Sequence, residues 1–160
     1  MPEHGHLKRL DRVWIPGAVY FVTVCTQGRR SVLASAAIHE VFRREWMSAR
    51  QCHGRLVGRY VIMPDHVHFF CVEQPAGARH ELSRFVGRWK EWTAKGARGI
   101  LGEPGPLWQE EFFDHVLRSD ESYGEKWAYV RENPVRAGLA AAWEAWPFQG
   151  FVDFDFPKGS

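Results

Sequence analysis

The stretch LVGRYVIMPDHVHFFCVE, residues 56–73, decides the fold. Leu56 to Met63 is mostly apolar and predicts a strand. Pro64 and Asp65 supply a turn, and His66 to Glu73 predicts a second strand. Side chains alternate along a strand, so His66 and His68 leave one face. Val67, Phe69 and Cys71 leave the other and can enter a core.

Upstream, Val19 to Thr26 alternates and predicts another strand, with a turn over residues 27–30. Ser35 can cap a helix running to about Cys52, with Ile38, Val41, Phe42, Trp46 and Ala49 inward. Downstream, the pattern predicts a helix from Arg79 to about Arg98, interrupted near Gly96, and a loop over 99–106. A strand over Phe112 to Leu117 follows. A helix capped by Ser119 or Asp120 then runs to about Glu132 and stops at Asn133 and Pro134. Leu139 to Trp146 suggests a last short helix. The order is β, α, β, β, α, β, α. Its first six elements make the ferredoxin-like βαββαβ arrangement, an α+β fold with an antiparallel sheet and helices on one face. The chain of 160 residues suits one domain, 1–160, with a core over roughly 12–146 and a loosely attached tail over 147–160.

Composition narrows the function. Lys and Arg number 21 against 19 Asp and Glu, a net charge of +2, which excludes a histone-like polycation. An aromatic content of 14% argues against long disorder. No apolar run reaches the ~20 residues of a membrane span, and MPEHGHLKRLDR lacks a signal peptide's apolar core. A cytoplasmic location with no membrane partner is expected. Three cysteines without paired spacing argue against a disulfide framework.

The charge is uneven. Arg79, Arg84, Arg88, Lys90, Lys95 and Arg98 face only Glu81 and Glu91 in one stretch. Residues 110–125 reverse the sign. Phe85, Trp89 and Trp92 are interleaved with the cations. That mixture suits single-stranded nucleic acid, where phosphates take charge and bases take stacking. An amphipathic helix with its aromatics inward gives the same pattern.

Two further features carry chemistry. His66 and His68 can give one metal ion two imidazole ligands, or can be two partly exposed strand histidines. In YGEKWAYVRENPVRAGL, residues 123–139, helical spacing puts Tyr123, Trp127 and Val130 on one side. Tyr129 falls on the far side and shares its face with Asn133. It is either a surface tyrosine or a nucleophile presented to a site elsewhere.

These segments together carry a resemblance. MPDHVH (63–68) resembles the histidine–hydrophobe–histidine motif of the single-tyrosine HUH transposases. WQEEFFDHVLR (108–118) and YVRENPVRAGL (129–139) resemble later blocks of that family, as do FVTVCT (21–26) and RWKEWT (88–93). The branch that fits is the REP-associated tyrosine transposases, and the likeness spans roughly residues 12–146.

The resemblance implies the same ferredoxin-like core, with a C-terminal helix carrying the tyrosine. It implies His66 and His68 as ligands of a divalent cation, magnesium or manganese, with Asn133 as a further ligand. It makes Tyr129 the nucleophile. Asp65 beside the metal is an extra ligand or a charge that repels phosphate, and His115 lies in a matching block near the site. The implied activity is metal-dependent nicking and strand transfer of single-stranded DNA through a 5′-phosphotyrosine, at hairpin or REP-like sequences. Arg84, Arg88, Lys90 and Lys95 then become phosphate contacts, and Trp92 or Trp89 a stacking partner. Lys8, Arg9, Arg12, Arg29 and Arg30 are weaker candidates. No nucleotide cofactor is expected, in keeping with the lack of a P-loop sequence. The protein would act as a monomer or a homodimer. The alternatives are a non-catalytic module binding single-stranded or hairpin nucleic acid, and a metal-dependent hydrolase that uses water. Tyr123 is the fallback nucleophile, although its phase beside Trp127 suits a core.

Overall fold

A computed structural model of the chain describes residues 8–10, 13–15, 19–73, 82–117 and 120–155. The strands are β1 (Lys8–Leu10), β2 (Val13–Ile15), β3 (Val19–Cys25), β4 (Arg55–Met63), β5 (His66–Glu73), β6 (Phe113–Leu117) and β7 (Gln149–Phe151). The helices are α1 (Ala36–Met47), α2 (Ala49–His53), α3 (Leu82–Leu101), α4 (Asp120–Val130) and α5 (Asn133–Arg136). β1 and β2 form a separate antiparallel pair. The other five make one sheet in the order β6-β3-β5-β4-β7, with every pairing antiparallel. The first four of that order, with α1 and α3, are the expected βαββαβ core.

The alternation in β5 divides the protein into two apolar layers. Val67, Phe69 and Cys71 join Val22 and Val24 of β3 beneath α1 and α3. Phe70 and Val72 join Val19, Phe21 and Leu117 on the opposite face, beneath Tyr123, Trp127 and Val130 of α4. His66 and His68 share that second face by the same parity. The α4 stripe is the one that helical spacing predicts. The core helices thus cover one face, and the tyrosine helix covers the other.

Helix ends depart from expectation in several places. The first helix stops at Ser48, and α2 then closes on Gly54 in the left-handed region, φ 66°. The third helix of the sequence reading ends at Val130, and Asn133–Arg136 forms its own turn around Pro134. Ser35 caps α1 as expected, accepting from the Ile38 N–H at 3.2 Å. No break occurs at Gly96, because α3 runs unbroken to Leu101. A Cβ on Gly96 would stand 2.7 Å from Val41 Cγ1, so the glycine lets α1 and α3 approach rather than ending a helix. Only Trp143–Ala145 of the expected last helix forms, as a 3-10 turn. The start of the second helix, at Arg79, lies outside the described residues, as does Arg12.

The expectation of a loose tail fails for residues 149–155. β7 pairs with β4 through Arg59↔Phe151 and Val61↔Gln149. Phe154 is fully buried and fills the space above Gly58, where a Cβ would sit 2.5 Å from its ring. Gly58 and Arg59 lie in a bulge, since Val57 faces Cys71 while Tyr60 faces Phe69. Arg59 donates to both carboxylate oxygens of Asp155 at 2.5 and 2.6 Å, and its guanidinium lies 4.9 Å from the Trp127 ring. The three cysteines are free, as their spacing suggests. Among the described residues, no helix is long and apolar enough to cross a membrane.

Candidate active site

The turn at Pro64 and Asp65 is pinned before any side-chain chemistry is considered. The Thr26 N–H and hydroxyl donate to the Asp65 carbonyl at 3.0 and 3.1 Å, and the Leu33 N–H donates to the Pro64 carbonyl at 3.0 Å. His66 therefore starts β5 from a fixed point. Its Nδ1 lies 2.7 Å from Asp65 Oδ1. Asp65 Oδ2 accepts in turn from Arg29 Nε at 3.0 Å. Burial works to raise the Asp65 carboxyl, but the hydrogen bond and charge of His66, with Arg29, outweigh it and hold the group below its usual value. Asp65 thus remains ionised into acid and holds His66 with the Nδ1 proton toward itself. Arg29 is spent on this contact.

His68 is held in a parallel way. Thr23 is its cross-strand partner, and Thr23 Oγ1 lies 2.8 Å from His68 Nδ1. The ring stacks on Phe21 at 5.0 Å and 21°. Burial, with the charges of His66 and Lys126, pushes the His68 imidazole down to about 3, so it stays neutral at ordinary pH. The two imidazole centres are 4.8 Å apart. Both Nδ1 atoms are taken by protein partners, which leaves each Nε2 as the atom for an external ligand. Such outer partners fix tautomer and orientation at metal-binding histidines. Two oriented imidazoles, with His68 held neutral, fit a divalent cation. Among the described residues, no group of three His, Cys, Asp or Glu forms that could hold a metal.

Tyr129 projects from α4 and is 63% exposed. It lines a cavity of about 260 Å³ with His115, Leu117, Glu125 and Lys126. His115 stands across from Phe21 in the β3–β6 register, so it shares the histidine face. The Arg136 guanidinium lies 4.0 Å from the Tyr129 ring and donates to the Tyr129 carbonyl at 2.8 Å. It also donates to Asn133 Oδ1, so the expected extra ligand is already engaged.

The basic helix is not at this site. Phe85 and Trp89 of α3 are buried in the layer on the far side of the sheet. Trp89 is 2% exposed and is a core residue rather than a stacking partner. Arg84 and Trp92 are exposed, and Lys95 lies 4.4 Å from the Trp92 ring. Arg88 and Lys95 flank Glu91 at 3.9 and 3.7 Å, and Lys90 donates to the Glu110 carbonyl at 2.8 Å. Arg30 pairs with Glu103. Lys8 and Arg9 lie in β1.

Sequence reasoning missed Thr23, Lys126, Arg136 and Phe113. Phe113 faces Thr23 across the edge strand, in the same cross-strand row as His68, and is 60% exposed. Lys126 alone had a local signal, three residues before Tyr129 on one helix face.

Comparison with known proteins finds relatives of the chain. No family model matches the chain. A REP-associated tyrosine transposase of Escherichia coli K12 is 28% identical over 142 residues, which cover 88% of this chain and 80% of that protein. The chain resembles the REP-associated tyrosine transposases. A Haemophilus influenzae protein named for the same family is 24% identical, with 88% of this chain and 83% of that one covered. Among solved structures, a REP-associated tyrosine transposase bound to a REP hairpin matches with TM-score 0.65 and 24% identity, over 89% of this chain and 82% of that one. These relatives support a tyrosine transposase enzyme. In such an enzyme the paired histidines and the exposed tyrosine are the groups whose placement matters first.

Proposed function

We propose that the protein nicks and rejoins single-stranded DNA at hairpin sequences through a covalent phosphotyrosine. The observation that carries this reading is the pair of Nδ1-anchored histidines on the sheet face crossed by the helix of exposed Tyr129. The REP hairpin bound by the structural neighbour supports hairpin DNA as the partner.

In this reading His66 and His68 hold a divalent cation, magnesium or manganese, through Nε2. When bound, the cation supplies positive charge to a non-bridging oxygen of the scissile phosphate. Tyr129 Oη attacks phosphorus, the Oη–P bond forms as the P–O3′ bond breaks, and the phenol proton passes to solvent. The departing 3′ oxygen takes up a proton. Rejoining runs the same exchange with another 3′-hydroxyl, so no nucleotide cofactor is consumed. Arg136 stacks on the tyrosine ring and holds its orientation. Asn133 is a lesser ligand candidate, because it must first release Arg136. Phe113 offers an unpaired base a flat surface on the same face. Arg84, Arg88, Lys95 and Trp92 are kept as contacts to DNA beyond the reacting strand. Lys90, tied to Glu110, is the weakest of that group.

The test is a denaturing-gel assay with labelled hairpin DNA carrying single-stranded flanks. A covalent protein–DNA band that requires manganese or magnesium and disappears with chelator is expected. Cleavage without that band would point to water as the nucleophile. Binding without cleavage across a set of hairpins would point to a binding module. A second prediction concerns Asp65. Asp65→Asn is expected to weaken cation affinity about 10–100-fold by loosening the His66 ring, measured by manganese titration. Unchanged affinity would remove Asp65 from the site.

A further inference from the structure

Lys126 connects the two halves of the site. It lies three residues before Tyr129, so the two side chains neighbour each other on α4. Its Nζ sits 5.0 Å from the centre of the Phe21 ring. That ring is stacked 5.0 Å from His68. Lys126, Tyr129 and His115 line the same cavity. One ammonium therefore stands between the nucleophile's helix and the histidine face. The other cation beside Tyr129, Arg136, is committed to the Tyr129 carbonyl and to Asn133. An ammonium resting on a ring face keeps N–H donors for an anion. Glu125 also lines the cavity but is exposed, where solvent screens it.

We propose that Lys126 binds the scissile phosphate in this cavity, as the protein's own positive charge beside the histidine-held cation. This deepens the reading above and rests on it. The bland role for Lys126 is a cap on the Phe21 ring, and the two roles separate experimentally. An ammonium–phosphate contact is a charge-assisted hydrogen bond. Removal of the charge should cost phosphate affinity while leaving cation affinity alone.

The experiment measures ³¹P relaxation of inorganic phosphate against manganese bound to the full chain, with manganese affinity followed separately. Wild type is expected to bind phosphate next to the metal. Lys126→Gln should weaken phosphate binding about tenfold or more, with manganese affinity within about twofold of wild type and an unchanged melting curve. Lys126→Arg should recover most of the loss. Phosphate affinity that is equal in wild type and Lys126→Gln overturns the proposal and leaves the ring cap. So does manganese binding in wild type without phosphate binding. Manganese affinity untouched by His66→Ala and His68→Ala instead overturns the histidine site, and Lys126 falls with it.

Discussion

Tyr129→Phe is expected to cut the rate of covalent DNA adduct formation by about 10⁴-fold or more, with the fold and hairpin affinity retained. The hydroxyl is the only group removed. Phenylalanine keeps the ring that Arg136 covers, and Tyr129 is 63% exposed, so little packing is at stake. No other tyrosine stands ready to replace it. The chain has four. Tyr123 and Tyr60 are 4% and 2% exposed, each within an apolar layer. Tyr20 packs against the layer beneath α1 and α3, on the face away from the histidines. A single-turnover assay on labelled hairpin DNA reads the effect. A residual rate within about tenfold of wild type would exclude Tyr129 as the nucleophile.

Trp46→Ala is expected to cost about 3–5 kcal/mol of stability, the range for emptying a buried large aromatic site. Trp46 is fully buried in α1. It stacks on Trp89 at 5.1 Å and 16°, and lies 4.5 Å from Tyr60 and 5.3 Å from Phe69. It thus ties α1, α3 and the sheet together, and its loss opens a cavity bounded by rigid rings that cannot collapse into it. Trp46→Phe should cost much less, under about 2 kcal/mol, because it also removes an indole N–H that has no hydrogen-bond partner among the described residues. Urea unfolding of both variants checks the contrast. Equal losses would show that the N–H has an acceptor or that ring size decides everything.

The parts of the site legible in the sequence are those set by periodicity within one element. The parity of β5 put His66 and His68 on one face and the core residues on the other. The phase of α4 turned Tyr129 away from Tyr123, Trp127 and Val130. What required the structure depends on contacts between elements. Thr23 is found only from the β3–β5 register, and Arg29 only from the path of the turn that brings it to Asp65. The basic helix interleaves cations and aromatics that suit DNA, and it covers the sheet face away from the histidines. Local sequence does not say which side of a sheet a helix covers. Gly96 misled for a related reason: propensity treats a glycine as a weak point, whereas here the α1–α3 distance requires one. The tail reads as loose because its apolar residues, Phe148, Phe151, Val152, Phe154 and Phe156, fall in a short run that ends in PKGS. Its pairing with β4 depends on the gap left at Gly58.

The bulge at Gly58 and Arg59 also sets which single-residue changes in length this strand can absorb. Leu56, Val61 and Met63 serve the layer beneath α4, while Val57, Tyr60 and Ile62 serve the other. The even and odd positions therefore exchange roles halfway along β4. Removing one residue at the bulge would bring Val57 and Tyr60 two apart, matching Cys71 and Phe69, and keep both halves facing their own layers in plain alternation. Removing a pair would make them adjacent and force one half of the strand to present its side chains to the wrong layer. β4 thus behaves as two short strands in opposite phase, and the phase of its second half, next to His66 and His68, is counted from the turn at Pro64 rather than from α2.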